Sequence, residues 1–243
     1  SAVVLLDEAN LFYTPPTLQP SILSKYSANG TLQWQIELPE VVQLMWHCSL
    51  LKNGNIAVVG LNSEGDPKKV GIVILSPDGE VIRQTSFINT QGPVGPGRGS
   101  GIGVDLAELP NGNMALALNT NTTGGTYDFA RLVIYDQFLG KIFDNVYTPD
   151  SIIGVRNLGQ LTIETDVMGD IFIHGRDATS IENSSPYFAQ TLKINGSTYS
   201  PVYQQFFSNP TISSPSTFAL AGQDNMVWAA ANTLLQDTIF SNW

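Results

Sequence analysis

The chain is poor in cysteine and in long apolar runs. Cys48 is the single cysteine among 243 residues, which excludes an internal disulfide and a four-cysteine zinc site. No apolar run approaches the roughly 18 residues of a membrane-spanning helix. The residues that follow Ser1 do not form a signal-peptide hydrophobic region. We therefore expect no membrane insertion and no signal peptide within this chain.

Charge is also scarce. Charged residues make up 13% of the chain, about half of the share that is usual for soluble domains. The 11 Lys and Arg residues form no run longer than Lys68-Lys69, and the net charge is −10. Binding to nucleic acid needs clustered basic side chains, so we expect no nucleic-acid partner. The neutral polar surface that remains is typical of secreted proteins, lectins and virion components.

The main positive signal is a repeated hairpin. Its clearest copy runs from Ser49 to Gly60, where two short apolar runs flank Lys52-Asn53-Gly54-Asn55. Asn and Gly tolerate the positive φ of a tight hairpin turn, so this pattern predicts two antiparallel strands. The pattern returns about every 55 residues, a period typical of repeat folds. The turns of its five copies end at Asn10, Asn55, Asn113, Asp170 and Asn225.

A second type of hairpin lies between successive copies of the first. Its turns contain Gly30, Gly79, Gly140 and Gly196. Each repeat therefore predicts four short antiparallel strands, and no segment has the 3.6-residue periodicity of a helix. Repeats of four strands are typical of β-propeller blades, because one blade cannot bury both of its faces whereas stacked blades bury each other's.

We therefore predict an all-β fold: a single β-propeller domain of four-stranded antiparallel blades, about five in number. The blades are expected at 1–40, 41–90, 101–148, 158–207 and 216–243. The last blade is short, so it is either incomplete or completed elsewhere in a larger propeller. A β-sandwich is the alternative for any chain of short strands, but it does not predict a regular period.

One stretch carries a family resemblance. Gly30-Thr31-Leu32-Gln33-Trp34, followed by His47 to Asn55, resembles the propeller repeats of quinoprotein-like and arylsulfotransferase-like proteins. The resemblance covers most of the chain as a repeat pattern. It implies an alternative function as an enzyme with a site at the channel mouth near His47, because a histidine on that face carries the sulfuryl group in the arylsulfotransferase-like family. No second catalytic motif accompanies His47, and there is no Gly-x-Ser-x-Gly elbow.

The hairpins alternate between short turns and long connections. Antiparallel strands place all long connections at one end, and long loops on a rigid scaffold are where binding usually resides. Aromatic, histidine and arginine side chains at that end are candidates for stacking on sugars or binding carboxylates. The alternative is that the arginines are solvated or paired with acidic neighbours and that the other side chains pack in the blades. The candidate ligand-binding residues are Trp46, His47, Arg98, Tyr127, Arg156, His174 and Arg176.

We expect no metal site and no cofactor. A zinc site would need His47, Cys48 and His174 to converge, although Cys48 should point away from its strand neighbours. The glycine-rich stretch from Gly92 to Gly103 lacks the Gly-Lys-Ser/Thr of a phosphate loop. Without a catalytic constellation, we favour a non-enzymatic binding or structural module on an extracellular or virion surface that recognises a glycan or a protein. Besides the enzyme, the alternative is a scaffold part of a larger assembly.

Overall fold

The structure is a computed structural model that describes residues 3–7, 21–62, 69–88, 104–121, 128–147, 158–177, 188–208, 215–223 and 226–233. Within these ranges the chain forms 17 strands and one short 3₁₀ helix, Glu40–Val42. The strands are β1 Val3–Asp7, β2 Ile22–Tyr26, β3 Leu32–Glu37, β4 Leu44–Leu50, β5 Ile56–Asn62, β6 Lys69–Leu75, β7 Val81–Ile88, β8 Val104–Glu108, β9 Met114–Asn121, β10 Asp128–Tyr135, β11 Lys141–Tyr147, β12 Leu158–Thr165, β13 Ile171–Asp177, β14 Phe188–Ile194, β15 Pro201–Ser208, β16 Pro215–Gln223 and β17 Met226–Thr233.

The described strands form five antiparallel sheets, and each sheet is made of strands that are consecutive in sequence. The first sheet is β1–β3, the second β4–β7, the third β8–β11, the fourth β12–β15 and the fifth β16–β17. This up-and-down order is that of a propeller blade. The predicted fold class is confirmed: the chain is all-β and is built from antiparallel blades of the β-propeller kind. The exact number of blades and their boundaries stay predictions.

The first sheet differs from the predicted hairpin pattern. The sequence pairs Ala2 to Leu6 with Leu11 to Tyr13, a segment that lies outside the described residues. In the structure, β1 pairs with β2, and Val3 lies opposite Tyr26. Since β2 and β3 form a hairpin of the second type, β1 takes the second position in its sheet, which β5 holds in the next one. The predicted turn that ends at Asn10 lies outside the described residues.

The chain divides into two compact units, Ser1–Thr90 and Gln91–Trp243, here called the N-terminal and C-terminal units. In the N-terminal unit, the first and second sheets share a core that includes Leu23, Val58 and Val73. In the C-terminal unit, the third and fourth sheets share a core that includes Leu132 and Ile173. Each such side chain contributes about 1.5–3 kcal/mol on burial. Neighbouring sheets therefore stabilise each other, as the repeat predicts.

The strands of a sheet differ in exposure. The last strands, β3, β7 and β11, are largely exposed, whereas β5, β6, β9 and β10 are almost entirely buried where their side chains are described. The first strands of the third and fourth sheets, β8 and β12, lie against each other. In the C-terminal unit the first strand is therefore the inner one and the last strand is the outer one.

The short turns share one backbone geometry. Gly54 N–H donates to Leu51 O at 2.9 Å, and Leu51 N–H donates to Asn55 O at 2.8 Å. Gly54 has φ 85°, a left-handed conformation that costs glycine little. The same conformation occurs at Gly30, Gly79, Gly112 and Gly169. The turns predicted at these glycines are therefore present.

Two turns depart from this rule. The sequence assigns the turn glycines Gly140 and Gly196, but the left-handed residues are Leu139, with φ 65°, and Tyr199, with φ 55°. Leu139 N–H donates to Asp136 O at 3.0 Å. This hydrogen bond is equivalent to the one from Gly54 N–H to Leu51 O in the turn described above. The turns are present, but each is one or more residues out of the predicted register.

Every second-type hairpin carries a β-bulge near its short turn. In each of these hairpins, one residue of the outer strand has no partner opposite it. The register therefore shifts by one position, at Tyr26, Leu75, Tyr135 and Ile194. The extra residues are Gln33, Ile82, Ile142 and Val202. A bulge increases the local twist of an edge strand, so all four outer strands are bent at the same point.

Candidate functional site

The two ends of each sheet are built differently. One end carries the short hydrogen-bonded turns, such as Leu51–Asn55 and Leu109–Asn113; we call it the short-turn end. At the opposite end the strands are joined by longer stretches of chain, and we call it the long-connection end. Of these stretches only the one between β3 and β4, with its 3₁₀ helix, is described. The others are residues 8–20, 63–68, 89–103, 122–127, 148–157, 178–187 and 209–214.

At the long-connection end, β4, the first strand of the second sheet, is irregular. Met45 lies opposite Gly60 and His47 lies opposite Val59, so Trp46 is an extra residue in β4. The sequence places Trp46 in a loop, whereas the structure places it inside a strand as a bulge. Trp46 and His47 are both half-buried. A bulge leaves backbone groups unpaired and re-aims side chains, which is why bulges are frequent beside functional sites.

The same irregularity occurs in two inner strands of the C-terminal unit. Two residues of β12, between Gly159 and Thr162, stand opposite a single residue of β13. Two residues of β16, between Pro215 and Phe218, likewise stand opposite one residue of β17. In all three strands the bulge lies close to the long-connection end. By contrast, β8 pairs with β9 without a shift.

His174 lies in the middle of β13 and is held inside the fourth sheet. Its side chain is 1% exposed. Its Nδ1 lies 3.0 Å from Thr191 Oγ1, and its Nε2 has no hydrogen-bond partner. Burial lowers the pKa of His174 to about 3. The ring also stacks beside Phe172, with centroids 6.3 Å apart.

Of the remaining candidates, the structure describes only Arg176, and it describes the backbone position of that residue. Arg176 lies near the end of β13, opposite Gly159 and next to the β12 bulge. Arg98, Tyr127 and Arg156 lie outside the described residues. His47 belongs to the N-terminal unit, whereas His174 and Arg176 belong to the C-terminal unit. A ligand-binding role for the seven candidates stays a prediction.

Sequence reasoning missed two carboxylates on the inner strands. Asp105 of β8 accepts the Ile163 N–H of β12 with Oδ2 at 2.9 Å and the Leu106 N–H with Oδ1 at 2.8 Å. Burial, and next the charge of Asp105, raise the pKa of Glu164. A charged residue inside an otherwise apolar strand signals such a position. The hydrogen bond from Ile163 N–H to Asp105 Oδ2 links the third and fourth sheets through a side chain.

A second charged group that sequence reasoning missed lies on β10 and β11. Arg131 binds Asp144 through Nε and Nη2, both at 2.8 Å, and Lys141 Nζ lies 2.7 Å from the same carboxylate. Burial alone would raise the pKa of Asp144, but its hydrogen bonds with Arg131 and Lys141 lower it on balance. Both cations bind the same carboxylate, so the group links β10 to β11 within the third sheet.

Within the described part of the chain, no three His, Cys, Asp or Glu side chains are grouped so that they could hold a metal ion. No helix in the same ranges is long and apolar enough to cross a membrane.

No protein-family model and no curated protein matches the chain. Among solved structures, it is similar to extracellular domains 1–2 of Drosophila semaphorin 1b, with 12% identity and a TM-score of 0.43, over 86% of this chain and 41% of that one. A thermostable family-43 glycoside hydrolase has 13% identity and a TM-score of 0.34, over 94% and 74%. A eukaryotic initiation factor has 9% identity and a TM-score of 0.25, over 76% and 60%.

The chain spans less than half of the length of the semaphorin structure. None of these three proteins is a quinoprotein or an arylsulfotransferase. The resemblance to those two families stays a prediction.

Proposed function

We propose that this chain is a non-enzymatic β-propeller module that binds a glycan outside the cell through the long-connection end of its sheets. The observation that carries the proposal is the contrast between the two ends. Short hydrogen-bonded turns close one end, whereas longer connections, with bulges in β4 and β12 beside them, form the other. Long loops on a rigid β scaffold usually carry binding residues.

The short-turn end is occupied by internal contacts. In the N-terminal unit, Lys25 Nζ and Trp34 Nε1 both donate to Pro77 O, at 2.7 and 2.9 Å. In the C-terminal unit, Asp170 binds Lys193 Nζ at 2.8 Å and accepts the Gly196 N–H at 3.1 Å. These polar groups already hold neighbouring turns together. Ligand contacts are therefore assigned to the opposite end.

The chemistry of the connections favours a sugar. Residues 119–127 and 178–187 are rich in Asn, Thr and Ser, whose amide and hydroxyl groups bond to hydroxyls in both directions. Trp46 adds an aromatic face at the β4 bulge, and aromatic rings with a polar edge suit ligands that are apolar on one side and polar on the other. The low charge of the chain suits a neutral ligand better than a phosphate-bearing one.

The test is a glycan-array screen of the purified chain, followed by titration with the best glycan. Three proteins are compared with the wild type: Trp46→Ala, the triple variant Arg98→Ala, Arg156→Ala and Arg176→Ala, and the control Lys52→Ala on the short-turn end. We expect at least one long-connection variant to bind about tenfold more weakly, equivalent to about 1.4 kcal/mol. Lys52→Ala should bind as the wild type does, and circular dichroism should show that every variant is folded.

Two results would reject the proposal. A folded wild-type chain that binds no glycan rejects the ligand class and directs the search to protein partners or to an assembly, measured by light scattering. Binding that is lost in Lys52→Ala but kept in both other variants places the site at the wrong end.

A further inference from the structure

Among the described residues of the C-terminal unit, His174 is a buried polar group whose hydrogen bonding is incomplete. The ring is 1% exposed, Nδ1 lies 3.0 Å from Thr191 Oγ1, and Nε2 has no partner. The neutral ring tolerates this site, because one nitrogen is then an acceptor without a hydrogen. Protonation puts an N–H on both nitrogens, whichever tautomer is present at neutral pH. The cation would therefore bury a charged donor that finds no acceptor.

His174 lies on a central strand of the fourth sheet. β13 lies between β12 and β14, and His174 stands opposite Thr162 on one side and Thr191 on the other. The neighbouring residue Ile173 belongs to the core shared with the third sheet. Since successive residues of a strand face opposite sides, His174 faces away from that core. β16 lies against β12 and β13, so we place the fifth sheet on the side of His174.

The groups that face His174 do not stabilise a cation. Phe172 of the same strand stacks beside the ring. Of the charged residues on this face, Glu164 lies opposite Phe172 rather than His174, and Lys193 is paired with Asp170 at 2.8 Å. Arg176 stands two residues further along β13 and would add a positive charge rather than an acceptor. Across β15, the register brings Gln205 opposite Thr191 and Tyr203 opposite Lys193. β16, from Pro215 to Gln223, contains no ionisable residue.

We propose that His174 makes the C-terminal unit acid-labile: its neutral ring is part of the packing between the fourth and fifth sheets, and a proton on Nε2 separates them. The ring thus acts as a pH-sensitive latch that holds at neutral pH and opens in an acidic compartment. This function is separate from glycan binding and does not depend on it.

The sign of the effect follows from proton linkage. Burial lowers the pKa of folded His174 to about 3, from 6.5 for the unperturbed group. The contribution to stability is complete above the unfolded pKa, and it is lost as the pH falls from there toward the folded pKa, because the unfolded chain takes up the proton first. Between pH 7.5 and pH 4.5 this single group lowers the folding equilibrium constant about 100-fold.

The experiment is urea unfolding of the full chain at pH 7.5 and pH 4.5, followed by circular dichroism. His174→Gln keeps a polar group next to Thr191 but cannot titrate, and His47→Gln changes the other histidine as a matched control. We expect the wild type and His47→Gln to lose about 100-fold more of the folding equilibrium constant on acidification than His174→Gln does. Equal losses in all three proteins would overturn the proposal.

A second measurement decides the matter even if His174→Gln does not fold. The NMR shift of the His174 ring carbon in the wild type reports its protonation directly. We expect the ring to stay neutral from pH 8 to pH 4.5 for as long as the unit is folded. A titration of the folded protein with a midpoint between pH 6 and 7 would show that the ring accepts a proton in place, which excludes the latch.

Discussion

Single residues in the short turns carry unequal strain. Gly54 and Gly112 adopt the left-handed conformation that their turns require, whereas Leu139 adopts it with a side chain, at φ 65°. A Cβ in this region approaches the neighbouring carbonyl oxygen and costs about 1–2 kcal/mol. Asp136 compensates in part, because its Oδ1 accepts the N–H groups of Phe138 and Gly140, each at 2.8 Å.

Leu139→Gly should therefore stabilise the chain. The relief of strain exceeds the added entropy of the unfolded glycine, and we expect a gain of about 0.5–1 kcal/mol in the free energy of unfolding. The reciprocal control is Gly112→Leu, where a Cβ would meet nothing within 4 Å and only the conformational strain is added. That variant should lose about 1–2 kcal/mol. Urea unfolding measures both, and a loss of stability in Leu139→Gly would contradict the argument.

Residue-scale contacts were the least predictable part of the chain. Asn53-Gly54 predicts its turn, because only a few residue types suit the left-handed conformation that the turn requires. The sequence around Leu139 contains Gly140, which offers the same signal one position late. The buried state of His174 was also beyond reach, because one histidine in a strand looks the same whether its partner is a ligand or Thr191 of the next strand.

Among the elements, the 3₁₀ helix Glu40–Val42 sets the tightest constraint. This segment leads from β3 to β4 and packs against β5 and β6. It passes so close to Gly71 that a Cβ there would lie 1.7 Å from Val41 O. Only glycine leaves room for the backbone at this distance.

Gly71→Ala should displace the 3₁₀ helix and lower the free energy of unfolding by about 1–3 kcal/mol, the usual cost of forcing extra atoms into a packed site. The matched control is Ser86→Ala, since Ser86 lies opposite Gly71 on the exposed strand β7. That change should cost less than about 0.5 kcal/mol. If thermal or urea unfolding gives the same value for the two variants, the close approach does not matter.

The outer strands show why pattern alone could not give the register. Ile82, Ile142 and Val202 are extra residues in their hairpins and are 42%, 51% and 54% exposed. In sequence, each apolar residue next to a turn looks like part of a regular strand. The bulge instead turns it outward. A bent edge strand pairs poorly with the edge strand of another molecule. The bulge therefore opposes edge-to-edge association, although its side chain adds apolar surface there.

At the scale of the whole molecule, stability depends on contacts between sheets. In the C-terminal unit the third and fourth sheets share an apolar core, and hydrogen bonds join their inner strands. Asp105 Oδ2 accepts the Ile163 N–H at 2.9 Å, and Thr165 Oγ1 donates to Glu108 O at 3.2 Å. The core supplies most of the free energy, whereas these bonds fix how the inner strands are aligned.

Asp105→Ala should lower the free energy of unfolding by about 1.5–3 kcal/mol, because it removes a charged acceptor and leaves a backbone N–H between two sheets unpaired. Asp105→Asn should cost less, since the amide oxygen can still accept that bond. Asp78→Ala, at an exposed turn tip, is the control and should be close to neutral. An Asp105→Asn variant as unstable as Asp105→Ala would show that charge, rather than the bond to Ile163, is what matters.

The architecture was predictable from the sequence, because the hairpin pattern returns several times along the chain and each copy reinforces the others. The position of β1 was not, since its apolar run fits the first or the second place in a blade equally well. The candidate site was predictable only as an end of the sheets. Of its seven candidate residues, four lie in β4 and β13, and no physical rule of spacing relates them to Arg98, Tyr127 and Arg156.

The consecutive order of strands has a consequence for synthesis on the ribosome. Each sheet is complete as soon as its last strand has left the exit tunnel, and no described sheet waits for a strand made much later. Contacts between residues close in sequence form early because little chain entropy is lost in making them. Each nascent sheet then exposes one apolar face only until its successor emerges. A pause in translation between two sheets would therefore prolong this exposure, because the completed sheet has to wait for its successor.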